Sequence, residues 1–337
     1  MKRIRRRCFG RLSRPGFIAT IAACFFLAFP ELVCGTPFTL GDLLVTSQSG
    51  NILYEYTRNG VMVQSLSVPA PPNATRTYQV GGVLVDRNGY VDVAQFGSGA
   101  DTYLSAYQAS TQSWRQISAA PCNGITNGLD LDLAQYQSRI YVSVISSYQL
   151  DAANNYAVTQ LPQSTEPLPN VGNSAVSVGL NGLLYIVNSG SPKANVSVVN
   201  PSTFAVLQNL ILVDASNLRI TAEGLAATAD GTIYAADISG TIYKYSSTGV
   251  RLGSFATGIS SPSTLSLMPD GTLAMGSRFG DVYITNTSFS TQSHFTVPGT
   301  LTDYVGFVTA VPEPSPLILV GAGAIMAAAW RCIRRTY

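Results

Sequence analysis

Glu223–Phe255 reads EGLAATADGTIYAADISGTIYKYSSTGVRLGSF, and Ser263–Ser288 reads STLSLMPDGTLAMGSRFGDVYITNTS. Both stretches run apolar strand, Asp-Gly turn, strand, short Gly turn, strand. Asp230-Gly231 and Asp270-Gly271 are tight-turn signals between alternating apolar residues, the pattern a hairpin requires. Two consecutive copies of one unit make a repeat architecture the first expectation.

Looser copies occupy the rest of the chain. Asn181-Gly182 opens LLYIVNSG, Asn88-Gly89 opens YVDVAQFG, and Gly41-Asp42 opens LLVTSQSGNILYEY. Ser138–Val144, SRIYVSV, has lost its turn glycine. Marks at residues 41, 89, 139, 182, 231 and 271 are spaced 48, 50, 43, 49 and 40 residues apart. Four short strands in about 45 residues is the period of a propeller blade. The first copy begins at its second strand, Asp42–Thr46, while a spare strand, Tyr304–Ala310, follows the last. The expectation is an all-β, six-bladed β-propeller over residues 36–311, closed by the C-terminal strand joining the N-terminal blade. Closure of that kind hides sheet edges.

The blade pattern resembles the NHL and gluconolactonase-like six-bladed propellers. The matching residues are Glu223-Gly224-Leu225-Ala226, Asp230 through Asp237, and more weakly Asn181 through Asn188. The resemblance covers roughly residues 170–290. Its enzymes hold a divalent metal in the central channel with Glu, Asn and Asp ligands, and hard oxygen ligands suit Ca²⁺ or Mg²⁺. The corresponding candidates are Glu223, Asp237 and Asn188, with Asp132 added from Asn127-Gly128-Leu129-Asp130-Leu131-Asp132-Leu133, where Asp130 and Asp132 alternate onto one strand face. The set is incomplete. The plainer reading has Asp237 and Asn188 tying off turns by hydrogen bonding and Glu223 standing alone at the channel mouth. Asp86, Asp92 and Asp101 are read as turn residues.

Other catalytic chemistry finds little material. No Gly-rich phosphate loop, Walker motif or serine nucleophile elbow is present. His294 is the single histidine, in the outer-strand run SHFTV, and reads as a surface residue. Cys122 is the one cysteine of the body and lies in loop-like sequence, so no disulfide or cysteine metal cluster forms there. Tyrosines 54, 56, 103, 107, 141, 185, 234, 243, 245 and 283 recur on the second and third strands. Half-buried tyrosine suits interblade packing; a sugar-stacking surface is the alternative.

The ends carry the charge. Seven of the 20 basic residues fall in the first 14 positions, and Arg331, Arg334 and Arg335 close the chain. Residues 36–311 keep ten basic and 16 acidic residues, which excludes a body that tracks phosphate backbones. After the basic start comes the apolar run Gly16–Phe29, GFIATIAACFFLAF, with small residues placed for cleavage before Thr36. This is the order of a secretory signal peptide, residues 1–35, exported by the Sec machinery; a retained N-terminal anchor is the alternative.

Residues 312–337 add a stiff Pro312-Glu313-Pro314 segment, flanked by Val311 and Ser315, an apolar run Leu317–Trp330, and the arginines. Basic residues after an apolar run belong on the cytoplasmic side. This order resembles the PEP-CTERM sorting tail of bacteria, with Cys332 and Ile333 interrupting the usual arginine cluster. The resemblance implies an exported protein, held transiently in the inner membrane by a C-terminal transmembrane helix. It also implies processing near the motif by an exosortase-type enzyme and association with exopolysaccharide. An ordinary C-terminal anchor is the alternative. The expected function is therefore a surface or matrix propeller, a non-enzymatic binding or structural protein for polysaccharide or another surface protein. The alternative is a metal-dependent lactonase or lyase-like hydrolase. No nucleic-acid partner and no cofactor other than the possible Ca²⁺ or Mg²⁺ is expected.

Overall fold

The computed structural model describes residues 38–71, 78–97, 102–118, 133–137, 139–142, 148–151, 157–160, 175–187, 195–290, 292–298 and 302–309. The segments expected as signal peptide (1–35) and sorting tail (312–337, with Val311–Ser315 and the terminal arginines), and Asp101, Cys122, Asp130, Asp132 and Asn188, lie outside them.

The described elements are all strands. They are β1 (Leu43–Ser47), β2 (Ile52–Tyr56) and β3 (Met62–Ser67); then β4 (Tyr78–Val85), β5 (Val91–Gly97), β6 (Thr102–Gln108) and β7 (Ser113–Ser118). Next come β8 (Leu133–Tyr136), β9 (Arg139–Val142), β10 (Tyr148–Asp151) and β11 (Ala157–Gln160), then β12 (Val176–Val178), β13 (Leu184–Val187), β14 (Val196–Val199) and β15 (Val206–Leu210). The last are β16 (Ala222–Ala227), β17 (Ile233–Asp237), β18 (Thr241–Tyr245), β19 (Arg251–Ala256), β20 (Pro262–Leu267), β21 (Thr272–Ser277), β22 (Asp281–Asn286), β23 (Gln292–Thr296) and β24 (Thr302–Phe307).

Consecutive strands pair antiparallel into four-stranded sheets, and β24 pairs with β1 to complete the sheet β24-β1-β2-β3. Strands β24, β4, β8, β12, β16 and β20 each touch the next, and β20 returns to β24. The fold is a β-propeller.

The repeat predicts six packed blades, and the described side chains make five. The sheet β8–β11 is defined by strand pairing alone. It is the copy without a turn glycine: Gln137 stands at the β8–β9 turn with φ 56°, where Gly89, Gly182, Gly231 and Gly271 occupy the left-handed region in their own copies. A non-glycine residue adopts that backbone at a cost.

Both faces of the inner strands are buried, because each blade packs between two others. Side chains alternate along a strand, so neighbours in sequence serve different cores. On β17, Ile233 and Ala235 join Tyr185, Val187 and Leu210 of the β12–β15 blade. Tyr234 and Ala236 join Leu265, Leu273 and Met275 of the β20–β23 blade. Outer strands have one dry face only: β19 and β3 alternate exposed and half-buried positions along most of their length.

The tyrosines follow this packing. Tyr54, Tyr56, Tyr107, Tyr185, Tyr234, Tyr245 and Tyr283 are buried, and the Tyr245 hydroxyl donates to the Val213 carbonyl at 2.9 Å. Asp86 does tie a turn, accepting from the amides of Asn88 (2.8 Å) and Tyr90 (2.9 Å). Asp92 does not. It lies within β5, fully buried and opposite Leu84 and Ala106. A polar residue beside an Asn-Gly turn reads as loop, but the strand begins directly after that turn.

Candidate functional site

A propeller offers two ends. At one end the innermost strands begin, and the turns between second and third strands lie beside those beginnings. At the other lie the Asp-Gly turns that join first to second strands.

Glu223 stands at the first of these ends, second in β16. Its carboxylate Oε2 lies 3.4 Å from Nη2 of Arg278, which follows β21 in the next blade. The pair is largely shielded, with the side chain of Glu223 11% exposed and that of Arg278 28%. Gly224 explains the Glu-Gly pairing in structural terms. A Cβ on it would meet the Leu265 nitrogen at 2.3 Å, so glycine lets β16 and β20 approach.

Asp237 ends β17 and closes the following turn. Its Oδ1 accepts from the Thr221 amide at 2.7 Å and its Oδ2 from the Ser239 amide at 3.1 Å. Ser277 holds the matching place in the next blade, its hydroxyl accepting from the amides of Phe279 (3.2 Å) and Asp281 (3.3 Å). The position is thus a turn-tying one in both blades.

Both residues have partners within the protein: Arg278 places a positive charge against Glu223, and each oxygen of Asp237 accepts from a backbone amide. Among the described residues no group of three or more His, Cys, Asp or Glu gathers at one point. Asn188 and Asp132 lie outside the described residues. His294 is on the surface as read, its Nε2 3.0 Å from Asp281 on the same sheet.

At the Asp-Gly end, a groove of about 490 Å³ opens between the β16–β19 and β20–β23 blades. Its rim carries Asp230 and Asp270, each fixed by its own turn. Asp230 accepts from the Thr228 hydroxyl and from the amide and hydroxyl of Thr232, both at 3.1 Å. These hydrogen bonds, led by that of Thr228, hold its carboxyl below the usual range. Asp270 accepts from the Thr272 amide at 2.9 Å and from Arg58 Nη1 at 2.6 Å, and the Arg58 bond is the largest cause of its lowered pKa. Lys244 crosses the groove's side, its Nζ 5.5 Å from the Tyr234 ring centroid and 3.5 Å from the Thr287 carbonyl.

A third charged group lies in the sheet where β24 joins β1. Glu55 is 1% exposed and accepts from the Thr39 amide (2.7 Å) and the Gln64 side-chain amide (2.6 Å). Burial raises its pKa, and nearby Asp42 raises it further against those hydrogen bonds. Asp42, 9% exposed, is also raised by burial, with Arg58 opposing.

Sequence reasoning missed Arg278, Arg58, Lys244, Asp42 and Glu55. Arg278 had a faint signal, as a charged residue directly after the turn-tying position. Arg58 and Lys244 reach into a neighbouring blade, and no spacing within one repeat announces such partners; Glu55 and Asp42 are marked by burial within their own sheet, which the ring imposes.

No protein-family model matches this chain, and no curated protein matches it. Solved structures similar to it include apo AztD from Citrobacter koseri, at 11% identity over 80% of this chain and 98% of that one, TM-score 0.44. Another is the Pan2 WD40 domain of Neurospora crassa, at 14% identity over 81% and 88%, TM-score 0.48.

Proposed function

We propose that this protein is an exported, six-bladed propeller with NHL-like repeats that acts at the bacterial cell surface or in its matrix by binding, not by catalysis. The PEP-CTERM-like tail, Val311–Ser315 with Leu317–Trp330 and the terminal arginines, supplies the address. An exosortase-type enzyme releases the body after Sec export, and exopolysaccharide or a surface protein is the partner. The observation that carries the binding reading is the state of the two described metal candidates. Glu223 is paired with Arg278, and Asp237 ties the Thr221 and Ser239 amides. Each thus has a structural use that needs no cation, and among the described residues no three metal-ligating side chains gather at one point.

The test is fractionation of producing cells carrying the tagged full chain. The wild type is expected at the surface or in the medium, shortened at both ends. The double change Pro312→Ala with Glu313→Ala is expected to leave a longer chain in the inner membrane. Full-length wild-type protein in the cytosol would overturn the reading.

A further inference from the structure

We propose that the groove between the β16–β19 and β20–β23 blades is a binding site for a neutral, hydroxyl-rich ligand, namely a saccharide unit. It deepens the reading above, on which it rests for the source of the sugar.

The charge balance selects the ligand class. Two carboxylates, Asp230 and Asp270, meet two cations: Lys244 in the groove wall and Arg58 bound to Asp270. A polyanion would face the carboxylates and a polycation the two basic side chains, so neither gains net attraction. A neutral ligand meets no such conflict. Carboxylates whose pKa is lowered stay ionised at neutral pH and accept hydrogen bonds strongly.

The lining has the two textures a sugar ring needs. Thr228, Thr232 and Thr287 line the groove: the two hydroxyls of Thr228 and Thr232 donate to Asp230 and keep acceptor lone pairs, and the Thr287 carbonyl accepts from Tyr234 and Lys244. Leu180, Leu267, Met268 and Pro269 give an apolar wall against which the C–H face of a ring can lie. Leu180 is 42% exposed, so part of that wall faces solvent. A groove of about 490 Å³ falls within the ordinary range for small-ligand sites.

The test uses the full chain in two arms. Native gels containing the producing cells' own extracellular polysaccharide measure polymer binding by retardation. Saturation-transfer NMR with cellohexaose and maltohexaose measures binding of a short neutral saccharide. Leu180→Trp fills the groove, Lys244→Met removes its cation, and Leu252→Ser on the outer face of β19 is the control. Unfolding curves establish that each variant folds. The expected result is retardation of the wild type and the control, with about tenfold weaker binding for both groove variants, the loss of one charge-assisted hydrogen bond or its steric equivalent. Polymer binding that is unchanged in the groove variants would overturn the site while leaving the binding reading standing. Hexasaccharide binding lost in the variants, without polymer binding, would support the site and overturn the polymer reading. Absence of binding in both arms would overturn the proposal.

Discussion

Arg58, in the turn after β2, reaches from the sheet that joins the first and last described strands to Asp270 in the neighbouring blade, Nη1 to Oδ2 2.6 Å. The same guanidinium donates to the Thr272 hydroxyl (3.0 Å) and the Gly41 carbonyl (2.9 Å) and lies 5.9 Å from the Phe307 ring centroid. One side chain therefore touches the turn before β1, the strand β24 and the adjoining blade.

Replacing Arg58 with Ala is expected to cost about 1–2 kcal/mol, since several hydrogen bonds go together. Asp270→Asn should cost less than about 1 kcal/mol, because the pair is partly exposed and screened. The contribution of Asp270 is present above its ordinary pKa of 3.8 and is lost as pH falls through its lowered value in the fold. Urea midpoints at low and high salt measure both.

Two glycines should respond in opposite ways. Gly224→Ala drives a methyl into the backbone of Thr264 and Leu265 and is expected to destabilise by about 3 kcal/mol or prevent folding. Gly253→Ala has nothing within 4 Å and no positive φ, so a neutral or slightly stabilising change is expected. Thermal unfolding of the pair reports this directly.

Glu55 makes stability fall as pH rises. Its folded pKa is raised, so its favourable share is complete below the ordinary value of 4.5 and is lost as pH climbs through the raised value. Glu55→Gln should flatten that part of the curve, making the variant relatively more stable as pH increases. Chemical unfolding at a series of pH values from 4 upward would show parallel curves if this assignment is wrong.

Glu223 and Arg278 should couple to each other and not to calcium. Arg278→Gln removes the cation beside a shielded carboxylate and is expected to cost about 1–3 kcal/mol. The double change with Glu223→Gln should recover part of it. Titration of the wild type with Ca²⁺ or Mg²⁺ is expected to give no binding heat and no shift in unfolding temperature. Binding that Glu223→Gln abolishes would revive the hydrolase reading.

Much of the fold was legible because its signals are local. The Asp-Gly and Asn-Gly turns marked hairpins, and Gly231 and Gly271 indeed take φ of 83° and 84°. The unpaired strand at each end pointed to β24 beside β1, and Leu43 pairs with Phe307, Val45 with Val305. The site was far less legible. Glu223 gave no hint that its cation would come from the next blade, 55 residues away. Asp92 looked like a turn residue because burial on both faces of an inner strand is a property of the ring, not of the segment. Arg58 and Asp270 are 212 residues apart and meet only once the circle is complete.

That last strand has a consequence for synthesis. β1 is made before its partner β24, with every other described strand lying between them in the chain. Until β24 is made, β1 presents an open hydrogen-bonding edge, and Leu43, Val45 and Tyr54 lack the Val305 and Phe307 side chains that share their core. Pairing of such distant segments is intrinsically slow. A nascent chain of this protein is thus an unsealed arc until β24 emerges, and any holding factor must guard the edge of β1 up to that point.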